Sequence, residues 1–186
     1  MEKIRCAWCE KDDLYRNYHD QEWGKPVYDD KTLFEFLVLE SFQAGLSWYT
    51  ILKKCENFKT AFEDFNYRKI AAYDDVKVQE LMQNSGIIRN RLKILATVNN
   101  AKRFMEVQKE FEPFSKYIWG FVDGKPIDYH RKNLSQIPAT TEISDALAKD
   151  LKKRGFKFLG STVVYAYMQA TGMVNDHVQD CWVRNQ

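Results

Sequence analysis

DKTLFEFLVLESFQAGLSWYTIL, residues 30–52, governs how the rest of the chain is read. Leu33, Phe36, Leu37, Glu40 and Ala44 recur at helical spacing, which predicts an amphipathic helix. Asp29 or Asp30 can cap it, because a carboxylate there accepts the free N–H groups of the first turn. Gly45 suits the left-handed residue that ends a helix, and Ser47 suits the cap of the next. One acid, Glu40, therefore lies on the apolar stripe, and one indole, Trp48, lies just past the turn. A buried carboxylate is costly unless it is paired or used. Two readings stay open from these residues. Glu40 is either bonded to a nearby N–H or Tyr, or turned to solvent at the helix end; or it is an acid held for chemistry.

Outward from this stretch the pattern stays helical. WYTILKKCENFKTAFEDF continues the second helix, and Asn66 and Asp74 or Asp75 are caps for short helices near 67–73 and 75–83. NSGIIRNR then joins the last of these to a long helix near 89–110, with a face that includes Leu92, Leu95, Ala96, Asn99 and Arg103. Gly86 makes the turn. A helix, a short apolar turn and a basic helix start form a phosphate-binding device, with N–H groups at the helix start and charge from Arg89 and Arg91. An ordinary helical hairpin has the same pattern. Residues 114–121 read as an aromatic helix ended by the Asp123-Gly124-Lys125-Pro126 turn, and 127–140 as irregular. Thr141 or Ser144 caps a helix ending in KDLKKR at Gly155, and TVVYAYMQAT is a last helix closed by Gly172. Residues 1–29 form a loop-rich arm with room for one short helix. The total is roughly eight to ten helices with no strand hairpin, repeat or linker, so the fold class is all-α. The chain reads as a single unit, 1–186, of two interlocked helical lobes, the hairpin lobe spanning roughly 50–125 with the termini packed together.

A length of 186 residues supports a true core, and 45% hydrophobic with 29% charged residues is ordinary for a globular protein. A net charge of +2 does not by itself point to nucleic acid, so the distribution of charge decides more. No acid occurs between Leu81 and Met105, or between Leu151 and Asn175, while both segments hold several Lys and Arg. These are two candidate positive faces, or two solvated helix surfaces. The N-terminus has no apolar run, and no window approaches the roughly 18–20 apolar residues of a membrane span. The expectation is a cytoplasmic protein without membrane contact, whose 4 Cys are thiols or metal ligands rather than disulfides.

Two constellations carry chemistry. Cys6, His19, His177 and Cys181 have the types of a Cys₂His₂ metal set, with His177 and Cys181 at i, i+4 spacing on one face of a helix or turn. A structural zinc there would staple the N-terminal arm to the C-terminal tail. Free core thiols and satisfied histidines are the plain alternative, and Cys6-x-x-Cys9 is a rival ligand pair. The second set is Trp8, Tyr18, Trp23, Glu40 and Trp48. One carboxylate among aromatics suits a flat cationic or electron-poor ring. Taken singly, Trp8 and Trp23 read as core.

YHDQEWG (18–24), LESFQAGLSW (39–48), ILKK (51–54), GIIRNRLKI (86–94), LKKRGFKFLG (151–160), YMQATGMVNDH (167–177) and Cys181 resemble the DNA-3-methyladenine glycosylase I family, over roughly residues 5–181. The resemblance implies a helix-hairpin-helix glycosylase fold and a structural zinc held by Cys6, His19, His177 and Cys181, with Cys9 outside the site. It implies a base pocket from Glu40, Tyr18, Trp48, Trp8 and Trp23. The wider superfamily carries an Asp after the hairpin, but residues 89–105 contain no acid, which agrees with a subfamily that takes its carboxylate from the Glu40 position. The chain departs from the family pattern at Phe42, where a Gln is expected, and at Ser41, where a Gly is expected, which puts the neighbouring turn in question. The implied reaction is excision of N3-methyladenine from double-stranded alkylated DNA by a monofunctional glycosylase that flips the nucleotide out of the stack. In this reading the loop 43–47 enters the gap, with Gln43, Gly45 allowing close approach and Leu46 as the apolar wedge. Gly86 and Arg89 of the hairpin, with Lys153 and Lys157, hold phosphates. Glu40 recognises the base and stabilises charge, and no lysine stands out as a Schiff-base nucleophile. A monomer is expected. The rival classes are a non-catalytic zinc-containing helix-hairpin-helix DNA-binding module and a zinc-stapled interaction protein; neither needs a buried acid.

Overall fold

A computed structural model describes residues 3–184. Along the chain run α1 (Asp13–Gln21), α2 (Asp30–Gln43), α3 (Trp48–Leu52), α4 (Cys55–Ala61), α5 (Tyr67–Ile70), α6 (Asp75–Gln83), α7 (Arg91–Phe111), α8 (Phe114–Trp119), α9 (Glu142–Lys153) and α10 (Ser161–Ala170). The fold is all-α apart from β1 (Ile127–Asp128) and β2 (Val174–Asn175), which pair in parallel with Ile127 opposite Val174.

The helix starts follow local chemistry. Asp12, Asp29, Ser47, Asn66, Asp74, Asn90 and Thr141 each accept a backbone N–H of the first turn they precede. Ser144 completes a capping box with Thr141. α2 is the helix the others enclose. Every residue from Phe36 to Phe42 is buried, because α3, α7, α8 and α10 pack around it. Glu40 is thus buried by enclosure on all sides rather than by one apolar stripe.

Two expectations change. The run 48–65 is two helices, broken at Lys53 and Lys54, and the chain turns left-handed from Glu63 to Phe65. Packing overrides helical propensity there: the break turns α4 so that Phe58 and Phe62 meet Phe42, with ring centroids 4.8 and 5.9 Å apart. Phe42 is therefore a core anchor, fully buried against these two rings. Second, α7 buries Ile94, Val98, Ala101, Phe104 and Val107, while Leu92 and Leu95 are 67% and 39% exposed. Of the face read from the sequence only Ala96 is buried, because α2, α5, α6 and α8 approach α7 from the other side. Of the helix or turn open for His177 and Cys181, the structure has the turn, closed by the Cys181 N–H on the Val178 carbonyl.

Asp30 joins two distant helix starts. α8 has no side-chain cap of its own, and the Asp30 carboxylate accepts the Phe114 and Ser115 N–H groups at 2.9 and 2.8 Å and the Gln108 amide at 2.6 Å. Asp30→Ala should lower stability by about 2–3 kcal/mol, since it removes a cap and leaves buried donors unpaired. Urea unfolding checks this, and a loss under about 0.5 kcal/mol, the size of an ordinary surface substitution, would refute it.

Candidate active site and metal centre

The N-terminal arm and the C-terminal tail meet at Cys6, His19, His177 and Cys181, whose ligand atoms all lie within 4.8 Å of one another and are all buried. Cys181 Sγ is 3.5 Å from His19 Nε2 and 3.4 Å from His177 Nδ1, and Cys6 Sγ is 3.8 Å from His177 Nδ1. A tetrahedral ion with ordinary metal–sulfur and metal–nitrogen bonds has edges of about 3.3–3.8 Å. The outer partners also fit. His19 Nδ1 donates to Asp20 at 2.8 Å, and His177 Nε2 donates to the Trp23 carbonyl at 3.2 Å, so the other ring nitrogen of each faces the sulfurs. Arg5 clamps Asp20 in turn at 2.9–3.0 Å. The contact between the sulfurs pushes the Cys6 thiol up and holds Cys181 down as a thiolate, aided by both histidines. Cys9 is apart from this set and donates to the Cys6 carbonyl at 3.1 Å, which removes it as a rival ligand. Sequence reasoning missed Arg5, Asp20 and Gly24. Gly24 is left-handed at φ 79°, and a Cβ there would lie 2.8 Å from His177 Nε2, so the close approach needs glycine. The acid directly after His19 was the only available signal for the outer shell.

The Glu40 carboxyl, on α2, is 3% exposed, with its Oε2 buried and unpartnered among the described residues. Burial alone pushes its pKa up to about 8. Tyr18 is close enough to feel the Glu40 charge, although burial is the larger reason its phenol is raised. The Tyr18 ring lies 5.3 Å from that of Trp48, and the Trp48 indole N–H is likewise buried without a partner. A buried carboxyl and a buried N–H without partners call for an account. Trp8 and Trp23 fall nearer the metal cluster. Trp8 packs on His19 and Trp23 at 5.3 and 5.0 Å and on Tyr18 at 6.4 Å, while Trp23 stands edge-on to His177 at 4.6 Å. Asp12, the α1 cap, also accepts the Tyr49 hydroxyl of α3, which ties the arm to the helix that bears Trp48.

The loop after α2 is held at both ends. Gln43 is half-buried, Gly45 is left-handed at φ 81° with open space around it, and Leu46 is 40% exposed. Ser47 fixes the far end by capping α3. At the near end Lys93, which sequence reasoning did not single out, donates to the Phe42 and Ala44 carbonyls.

The two acid-free segments are only partly free of acids in space. Arg91 pairs with Asp75, Arg103 with Glu106, and Arg154 with Glu110 and Asp150. Arg89, Lys152, Lys153 and Lys157 are exposed and have no ion-pair partner among the described residues. Gly86, in the turn between α6 and α7, has its carbonyl and that of Ser85 bonded to Lys54 at 3.3 and 3.2 Å. A cleft of about 700 Å³ opens beside Lys152, Lys157 and Phe158, away from Glu40.

The model of the methyladenine glycosylase family matches residues 8–185. DNA-3-methyladenine glycosylase 1 of Escherichia coli is 50% identical over 177 residues, 95% of each chain. DNA-3-methyladenine glycosylase of Haemophilus influenzae is 49% identical over 177 residues, 95% of this chain and 96% of that one. Among solved structures, 3-methyladenine DNA glycosylase I from Staphylococcus aureus, studied for its recognition of 3-methyladenine, is 41% identical with a TM-score of 0.95, over 98% of this chain and 97% of that one.

Proposed function

The chain belongs to the methyladenine glycosylase family, and on that footing we propose that it is a DNA repair glycosylase that hydrolytically excises N3-methyladenine from alkylated DNA, leaving an abasic site. The observation that carries the reading at the site is the buried Glu40 carboxyl, its Oε2 unpartnered among the described residues, close enough to act on Tyr18, whose ring meets Trp48.

N3-methyladenine in a nucleotide is a cation. The glycosidic electron pair leaves onto the base and neutralises it, so strong acid catalysis is unnecessary; water adds to the sugar carbon and loses a proton. Selection is then electrostatic. The Glu40 carboxyl is neutral in the closed pocket at neutral pH, and an entering cation favours its ionised form. Neutral adenine gives no such gain. Trp48 and Tyr18 stack on the ring, with Trp8 and Trp23 forming the wall behind them. Glu40 orients the base edge and stabilises the positive charge that develops on the sugar. Duplex DNA is bent and the nucleotide flipped. Leu46 fills the gap, with Gln43 beside it and Gly45 allowing the backbone close. The helix-hairpin-helix made by α6, the turn with Gly86, and α7 grips phosphates with Arg89, and Lys153 and Lys157 do the same from the other basic stretch. Cys6, His19, His177 and Cys181 hold a structural zinc, which supplies no chemistry to the reaction but fixes the arm that bears Tyr18. The protein works as a monomeric single unit in the cytoplasm; no helix among the described residues is long and apolar enough to cross a membrane.

Incubation with methylated duplex DNA, followed by identification of the released base, tests the reading. Free 3-methyladenine and intact abasic strands are expected. Release of no methylated base would refute the activity, and a borohydride-trapped protein–DNA adduct would refute simple hydrolysis.

A further inference from the structure

Lys93 lies on the buried face of α7, 6% exposed, and has no carboxylate partner among the described residues. Its ammonium reaches across about fifty residues of sequence to the C-terminal end of α2, donating to the Phe42 carbonyl at 2.7 Å and the Ala44 carbonyl at 2.5 Å. The last carbonyls of a helix lack partners and carry its negative end. Here the chain leaves the helical conformation at Ala44 (φ −46°, ψ 116°) and turns at Gly45, and the Leu46 N–H donates to the Gln43 carbonyl. A cation from a neighbouring helix completes the cap. The same residue lies in the first turn of α7: its N–H is accepted by the Asn90 cap, and its carbonyl accepts the Thr97 hydroxyl at 2.9 Å. One side chain thus joins the helix that follows the hairpin to the loop that bears Leu46.

We infer that Lys93 is a positioning residue, which caps α2 from α7 and so sets where the loop 43–47 stands relative to the phosphate-gripping hairpin. This rests on the reading of Leu46 as the wedge. A lysine on a basic helix has two simpler roles, phosphate contact and core stability, and the test separates all three.

Lys93→Met in the full-length, metal-loaded protein should lower single-turnover excision from methylated duplex on the order of 10²-fold, the scale of a misplaced positioning element. Affinity for free 3-methyladenine, read by tryptophan fluorescence, should stay within about threefold, and the salt dependence of duplex binding should not change. In a Leu46→Ala background the same substitution should cost less than about threefold more, because both disable one loop. Lys93→Gln, which keeps a neutral donor, serves if the Met variant does not fold. A salt slope reduced by about one assigns a phosphate contact instead. Base affinity falling in step with excision assigns a structural role. Independent, multiplying losses from Lys93→Met and Leu46→Ala overturn the inference alone, whereas full duplex activity in Leu46→Ala overturns the wedge reading and this inference with it.

Discussion

Glu40→Gln should lose on the order of 10²–10³-fold in excision of N3-methyladenine from duplex DNA, the range for removing one preorganised group that meets developing charge. The substitution keeps size and hydrogen-bonding shape and removes only the capacity to become an anion. Duplex binding, carried by phosphates, should change little. Full activity in this variant would sink the assignment. The same pair of proteins supplies a pH test. The Glu40 carboxyl titrates near 4.5 when free and about 8 in the fold, with burial as the cause. Between those values the unfolded chain gives up the proton and the folded chain keeps it, so stability falls as pH rises. The contribution of the neutral carboxyl is complete below about pH 4.5 and is lost towards pH 8, where the loss levels off. Relative to Glu40→Gln, the parent should therefore weaken by a few kcal/mol between pH 5 and pH 8. Denaturant titrations at the two ends measure this, and parallel pH profiles would show that the carboxyl ionises freely in the fold.

Removal of zinc should have the largest effect on stability. Freshly purified protein should contain one zinc per chain, and chelation should lower stability on the order of 5 kcal/mol or more, given that structural zinc supplies roughly 10 kcal/mol or more in small domains. Among the described residues the segments it joins are otherwise tied by single contacts, such as the Trp182 N–H on the Ile4 carbonyl, the Val27 N–H on the Thr171 carbonyl and the Lys3 ammonium over the Trp182 ring. Trp8, Trp23 and Tyr18 stand on or against the ligands, so affinity for 3-methyladenine should fall with the metal. Cys181→Ser should reproduce the effect without chelator. Metal-free protein with unaltered melting and base affinity would remove the zinc assignment and leave the catalytic one standing.

Helix starts, the class of the fold and the types in both constellations were legible in the sequence, because capping and helical spacing act within four residues. Ser47 and Asn66 each announced the helix they cap, and the pairs Asp29 or Asp30, Asp74 or Asp75 and Thr141 or Ser144 each contained the cap, the first member every time. The burial of Glu40 was legible too, although for a narrower reason than the true one. The break at Lys53–Lys54 was not, because only the packing of Phe42 on Phe58 and Phe62 demands it. Nor was the pairing of Arg154 with Glu110 on another helix, whereas its i, i+4 pair with Asp150 lies within reach of the same local rule. By itself the sequence determined which groups are present: a carboxyl, its aromatics, two thiol and two imidazole metal donors and an apolar tip on a tight turn. Tertiary structure decided which of them meet. The choice of Cys181 over Cys9 as the partner of Cys6, the Asp20–Arg5 brace behind His19, and the Lys93 ammonium on the end of α2 all join residues far apart in the chain. Such contacts form only once packing has brought the elements together, and no local hydrogen-bonding rule announces them.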